Sequence, residues 1–380
     1  MKASKPLTLR ALNRATLARQ LLLRRERVKV VRAVERVAGM QAQIPRPPFI
    51  GLWSRLDGFQ RGDLVRAIDR REIVRGTLMR ATIHLVSRTD FIEWRPTVQP
   101  VLTRLMNSVL GKVLHKFDLD RIVAAARSRF EKEACTFAEL RAHLSEEFPG
   151  TNEQAMGLIV RMLLPLIQTP QAGQPWGYHA AADFAVARSW LGEDVPVTGR
   201  ADRLALRYLA AFGPATGQDF QMWSGLPGGR AVLEALRPKL RVCRDEDGRE
   251  LFDLPRAPLI DPDEDAPVRF LPEYDNVLLA HADRRRIVHD DLRKHLFTRN
   301  LLIPAAFLVD GFVAGVWTLE SKVTAKKRHV RLVLKPLRKL DKRVRAALAD
   351  EGERLMRFVE PDAETYASDV TRCPVEGGRA

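Results

Sequence analysis

Helices followed by a strand pair, met three times, then a run of strands closed by one helix, predict an α+β protein of three tandem winged-helix units and a C-terminal β-barrel-like domain. Three observations carry this expectation. An alternating run over 76–86 places Met79, Ala81, Ile83 and Leu85 on one side and Arg80, Thr82 and His84 on the other, the period-two pattern of a half-buried strand. The stretch 203–254 reads as a helix-turn-helix with a wing. Beyond about residue 258 the composition shifts to short strand-like runs.

In order, Leu17, Ala18, Leu21 and Leu22 mark a first helix, and Val30, Val34, Val37 and Ala38 form the apolar stripe of a second. Pro45, Pro47 and Pro48 are expected to stop that second helix. A third helix over 62–71 precedes the alternating strand, which completes the first unit, 1–115. In the second unit, 116–198, Thr136 and Glu139 form a capping box, a helix covers 152–164, and Gly173 with Pro175-Trp176-Gly177 suggests a strand pair. The third, 199–258, has a helix over 203–212 ending at Gly213-Pro214 and a short helix from Thr216 to Trp223. A turn at Gly225-Leu226-Pro227 and a recognition helix over 230–236 follow. Its wing is a hairpin over 240–254 turning at Asp247-Gly248. Strands at 271–280, 306–309, 312–319 and 330–334, a turn at Asp310-Gly311 and a closing helix over 341–358 make the barrel-like domain, 259–360. The tail, 361–380, reads as loose.

The chain has 380 residues and formal net charge +16, so it should attract polyanions in a salt-dependent way. Its cations are mostly Arg, which suits bidentate phosphate contact and base stacking, although a GC-rich genome gives the same bias. Cys135, Cys243 and Cys373 are an odd count without metal-ligand spacing. No apolar run is long enough to span a membrane and no signal core opens the chain. A soluble, reduced, cytoplasmic monomer is expected.

Gln41-Ala42-Gln43 is the most informative short stretch. Gln41 falls on the continuation of the stripe through Val37 and Ala38, where an inward amide needs partners for its donors and its acceptor. Two amides flanking one small residue can grip a water molecule. The same spacing also fits a helix end whose glutamines bond free carbonyls. No glycine-rich phosphate loop, His-Glu-x-x-His or paired Cys-x-x-Cys occurs, so neither a cofactor nor a metal is expected. Asp275 and His281 lie in a polar cluster that fits either a reaction or strand-end structure.

Five separated segments then carry a resemblance. They are Leu12-Asn13-Arg14-Ala15-Thr16-Leu17-Ala18-Arg19-Gln20; Gly39-Met40-Gln41-Ala42-Gln43-Ile44-Pro45; Arg80-Ala81-Thr82-Ile83-His84-Leu85-Val86; Phe212-Gly213-Pro214-Ala215-Thr216; and Leu271-Pro272-Glu273-Tyr274-Asp275-Asn276-Val277-Leu278-Leu279. In that order they resemble the AlkZ-like DNA glycosylases. The resemblance implies winged-helix units and a barrel around a basic channel that takes double-stranded DNA. It implies that the family's catalytic Gln-x-Gln is Gln41 and Gln43; the branch with a carboxylate second is not matched. It implies excision of purines alkylated at the imidazole ring, bulky antibiotic adducts and interstrand crosslinks among them, for repair or self-resistance. Arg46, Arg80, Thr82, His84, Arg284, Arg285, Lys326 and Lys327 are the expected DNA contacts.

The chemistry agrees with those residues. A 7-alkylguanine is a cation and already a good leaving group, so the protein must only orient water and stabilise an oxocarbenium-like sugar. Glutamine does this without being a base, which restricts substrates to activated lesions. No lysine is placed for a Schiff base, so the expected activity is monofunctional. A non-catalytic winged-helix transcriptional regulator is the competing reading.

Overall fold

The computed structural model describes residues 5–179, 181–297, 302–324 and 326–371. Helix α1 (Leu9–Arg19) starts at Thr8, whose hydroxyl accepts the Ala11 amide at 3.0 Å. It ends before Leu21, which takes φ 57°, so the first helix lies earlier than its leucines suggest. It buries polar side chains that fasten distant segments. Asn13 donates to the carbonyls of Arg286 and Gly311 at 2.7 and 2.8 Å, and buried Arg19 forks Asp253 at 2.7 and 2.9 Å.

The chain continues through α2 (Val30–Arg36), β1 (Met40–Gln41), α3 (Pro47–Arg55) and α4 (Arg61–Asp69). The expected single strand over 76–86 is instead two, β2 (Ile73–Thr77) and β3 (Ile83–Ser87), an antiparallel pair joined by a 3-10 turn at Met79–Ala81. Arg80 and Ala81 occupy the left-handed region at φ 55° and 56° and reverse the chain without a glycine. Arg80, Thr82 and His84 therefore do not share one strand face.

Helices α5 (Arg88–Thr97), α6 (Gln99–Leu110), α7 (Leu119–Lys132), α8 (Phe137–Glu147) and α9 (Glu153–Leu163) follow. Thr136 and Glu139 form the expected capping box of α8, and Asn152 caps α9. Strands β4 (Leu166–Gln168) and β5 (Phe184–Val186) then extend the first sheet in the order β1-β3-β2-β4-β5, before the short α10 (Ala187–Leu191). The boundary expected near residue 115 thus crosses a continuous sheet.

The third unit runs α11 (Ala201–Phe212), α12 (Gly217–Ser224), α13 (Gly229–Leu236), β6 (Arg241–Arg244) and β7 (Glu250–Asp253), the helix order and hairpin expected there. The connection spans 245–249 and bonds Gly248 back to the Asp245 carbonyl, so it is longer than a two-residue turn. Tyr208, Phe212, Phe220 and Trp223 of this unit pack with Trp94 and Val74 of the first and Ile167 of the second in one buried cluster. Burial of this apolar surface joins segments from all three expected units in one core.

Strand β8 (Arg269–Leu271) is shorter than the expected 271–280. Pro272 breaks it, and Asp275 caps a 3-10 turn at Asn276–Leu278 by accepting the Val277 amide at 3.1 Å. After α14 (Arg293–Leu296) come β9 (Ala306–Val309), β10 (Phe312–Thr324), β11 (Lys327–Pro336), α15 (Lys342–Val359) and β12 (Thr365–Val370). Asp310 and Gly311, φ 49° and 81°, make the tight β9–β10 turn. The sheet order is β12-β11-β10-β9-β8, and among the described residues its edges β12 and β8 do not pair, so an open sheet stands where a barrel was expected. Helix α15 covers it with Leu348, Leu355, Met356 and Val359. Residues 365–370, expected to be loose, pair in parallel with β11.

Candidate active site

Gln41 stands on an edge strand and Gln43 in the bend just after it, rather than on a helix. Helix α2 ends at Arg36, and Ala38 and Gly39, φ 57° and 78°, turn the chain into β1, where Gln41 pairs with His84. A Cβ on Gly39 would lie 2.6 Å from Val86 Cγ1, so this reversal needs glycine. The stripe extrapolated through Ala38 fails because the helix stops. Pro47 and Pro48 do not terminate α2; they open α3, where a missing N–H costs nothing.

The motif backbone is clamped from two sides. Ala42 N–H donates to the Ile83 carbonyl at 2.7 Å. Arg75 Nε and Nη2 donate to the carbonyls of Ala42 and Gln43 at 2.9 and 3.1 Å, with the guanidinium 5.1 Å from the Tyr178 ring centroid. Burial lowers Arg75 to about 10, which leaves it cationic at neutral pH. Sequence reasoning missed Arg75. Its signal was a lone cation in the apolar run Ile73-Val74-Arg75, which must find acceptors if that strand is buried.

The side chains are anchored through their oxygens. Gln41 Oε1 accepts from Arg80 Nη2 at 2.8 Å, and Gln43 Oε1 accepts the Ile83 amide at 3.0 Å. Guanidinium and backbone N–H can only donate, which fixes the orientation of both carboxamides. Each amide nitrogen has no partner among the described residues and is not enclosed. Gln41 is 8% exposed while Gln43 is open to solvent.

The segment 273–276 supports the motif from behind. Asn276 Nδ2 donates to the Gly39 carbonyl at 3.0 Å, Glu273 pairs with Arg46 at 3.1 Å, and Asp275 forms a buried bidentate pair with Arg55, both contacts 2.9 Å. Asp275 is therefore a structural anion. His281 is buried with Nε2 3.0 Å from the Phe212 carbonyl. Burial, aided by Arg286, lowers it to about 3.

The expected DNA contacts separate. His84 is fully buried, its Nδ1 3.0 Å from the Thr82 carbonyl, and not on the exposed polar face expected for it. Burial chiefly, and then the charge of Arg80, lowers it to about 3. Thr82 hydroxyl donates to the Met79 carbonyl, and Arg80 is half-buried. Arg284 lies 3.8 Å over the Phe297 ring, and Arg285 is engaged by Asp283 and Asp247. Lys326 and Lys327 are exposed at the end of the long β10–β11 hairpin, Lys327 bonding Glu364 at 2.8 Å.

Because His84 and His281 are held well below 6.5, they are neutral throughout the physiological range. Excision should vary little between about pH 6 and 9. Their depressed values also add stability that is complete above about pH 6.5 and is lost as pH falls toward 3. The imidazole NMR signals of both should stay at the neutral position at pH 5. Titration near pH 6.5 would contradict their burial.

Two uncharged amides, each held through its oxygen, thus lie beside one another on a basic α+β scaffold. The chain belongs to the AlkZ-like DNA glycosylase family: the family described as DNA glycosylase AlkZ-like matches residues 34–358, which include both glutamines. It is a DNA glycosylase, a hydrolase acting on DNA. Among solved structures it is similar to the DNA glycosylase AlkZ of Streptomyces sahachiroi, with 18% identity, a TM-score of 0.75, and coverage of 97% of this chain and 100% of that one. No curated protein matches the sequence. No helix among the described residues is long and apolar enough to cross a membrane.

Proposed function

We propose that the protein is a monofunctional glycosylase, acting as a monomer on double-stranded DNA, that releases cationic alkylated purines of the 7-alkylguanine type. Bulky antibiotic adducts and crosslinks fall within this class, in repair or in self-resistance to a genotoxin. The observation that carries the reading is the Gln41–Gln43 pair. Both amide oxygens are held by fixed donors, neither amide nitrogen has a partner among the described residues, and the neighbouring histidine stays neutral. The oxygen of exposed Gln43 keeps a second lone pair that can accept from a water proton, while the N–H groups orient the water or the deoxyribose. Such a pair positions a nucleophile and cannot protonate a leaving base, so the lesion must bring its own positive charge.

The third unit reads as a winged helix, with α13 as its recognition helix and β6–β7 as its wing. Lys326 and Lys327 on the projecting hairpin, together with Arg46 and Arg284 nearer the fold, are the cations we assign to the phosphate backbone.

The test is incubation with duplexes carrying 7-methylguanine, 3-methyladenine, uracil, hypoxanthine or 8-oxoguanine, with chelator present, followed by alkali to cut at abasic sites. Release of the two cationic bases and survival of the three neutral ones is expected. Rapid loss of uracil, or dependence on metal, would show that the catalytic group lies elsewhere.

A further inference from the structure

We propose that Arg80 is a positioning residue for base excision, holding the Gln41 carboxamide with its oxygen inward and its NH2 group toward solvent. The inference rests on the reading of Gln41 and Gln43 as the pair that holds the hydrolytic water.

Arg80 sits at the tip of the β2–β3 hairpin in a conformation that L residues avoid, φ 55° and ψ 19°. One guanidinium nitrogen donates to Gln41 Oε1 at 2.8 Å, and the other donates to the Trp223 carbonyl in the last turn of α12. That end of a helix favours a cation. The hairpin tip is seated closely against α12: a Cβ on Gly225 would come within 3.2 Å of Arg80 Cα and N. Burial lowers Arg80 only to about 10, so the group remains charged at neutral pH. Arg80 is thus fixed by its own backbone and by two acceptors. It is not a free surface cation of the kind that contacts phosphate.

Two consequences follow for Gln41. Its amide cannot flip, because an NH2 group facing Arg80 would set donor against donor. The charge-assisted bond also polarises the amide, which strengthens its N–H groups as donors. Gln41 then serves as a fixed donor, and exposed Gln43 keeps the better acceptor oxygen for the water. Without Arg80, a 180° rotation of the amide would exchange donor for acceptor at the reacting position.

A double-mutant cycle tests this, read as single-turnover excision of 7-methylguanine at saturating enzyme. Arg80→Met should slow the wild-type background roughly ten- to hundredfold, the usual worth of a charge-assisted hydrogen bond. In the Gln41→Ala background the same change should slow it less than about threefold further. Affinity for the abasic product duplex and its salt dependence should stay near wild type. If Arg80→Met melts below the assay temperature, Arg80→Lys serves in the same cycle. It keeps the charge, cannot reach both acceptors, and should fall between the two rates. Equal slowing in both backgrounds overturns the proposal. So does weakened DNA affinity with a salt slope reduced by about one, which marks a phosphate contact. A wild-type protein that excises nothing, or Gln41→Ala at full rate, instead overturns the reading of the pair itself, and this proposal falls with it.

Discussion

Gln43→Ala is expected to slow single-turnover excision of 7-methylguanine by roughly a hundredfold or more, the order lost with a positioned catalytic group. Gln43 is the exposed member of the pair, and among the described residues its oxygen bonds only the Ile83 amide, so its removal disturbs little else. The melting temperature should stay within a few degrees of wild type, because surface changes usually move stability by less than about 0.5 kcal/mol. Gln41→Ala should also slow excision, but it leaves a half-buried Arg80 short of one acceptor. That variant should lose about 1–3 kcal/mol of stability as well. The contrast between the two is the informative result: Gln43→Ala separates rate from stability, whereas Gln41→Ala lowers both. Rates near wild type in both variants would remove the motif from the mechanism.

The largest stability effect is expected at Asp275. Asp275→Ala strands the Arg55 guanidinium in a region where both side chains are nearly solvent-free. Breaking one side of a buried bidentate pair costs about 3–5 kcal/mol, because the remaining charge has no counter-ion. The same loop carries Asn276, which holds the Gly39 carbonyl one residue before β1. Loss of the ion pair should therefore also loosen the strand that bears Gln41, and excision should fall with stability. Urea denaturation measures the first effect. A loss below about 1 kcal/mol would mean that water or a rearranged neighbour satisfies Arg55.

The parts of the fold that were legible in the sequence are those with local chemistry. Thr136 with Glu139, and Thr216, announce helix starts because their side chains satisfy amides that no turn of helix can. Asp310-Gly311 announces a hairpin because both positions need positive φ. The β2–β3 tip had no such signal. Arg80 and Ala81 adopt left-handed backbone through tertiary support, so the alternation from Met79 to Leu85 reads as one strand. Pro45, Pro47 and Pro48 look like terminators, yet proline also suits a helix start, and α3 was hidden by that ambiguity. In the candidate site, residue type and family resemblance pointed to Gln41 and Gln43. The clamps were not, because Arg75 and Arg80 meet the motif only after the chain has folded through more than thirty residues. His84 was read as a polar strand face, but polarity alone does not report that an imidazole is enclosed.

On the proposed mechanism two neutral glutamines suffice because the lesion carries its own positive charge. The most direct measurement compares two duplexes under single-turnover conditions at pH 7.5 with chelator. One carries 7-methylguanine; the other carries 7-methyl-7-deazaguanine, which has nearly the same shape and Watson–Crick edge but no charge. Tight binding of both duplexes and release of the cationic base alone is the expected result. Release of the neutral isostere at a comparable rate would contradict it, since the enzyme would then be supplying the activation that Gln41 and Gln43 cannot.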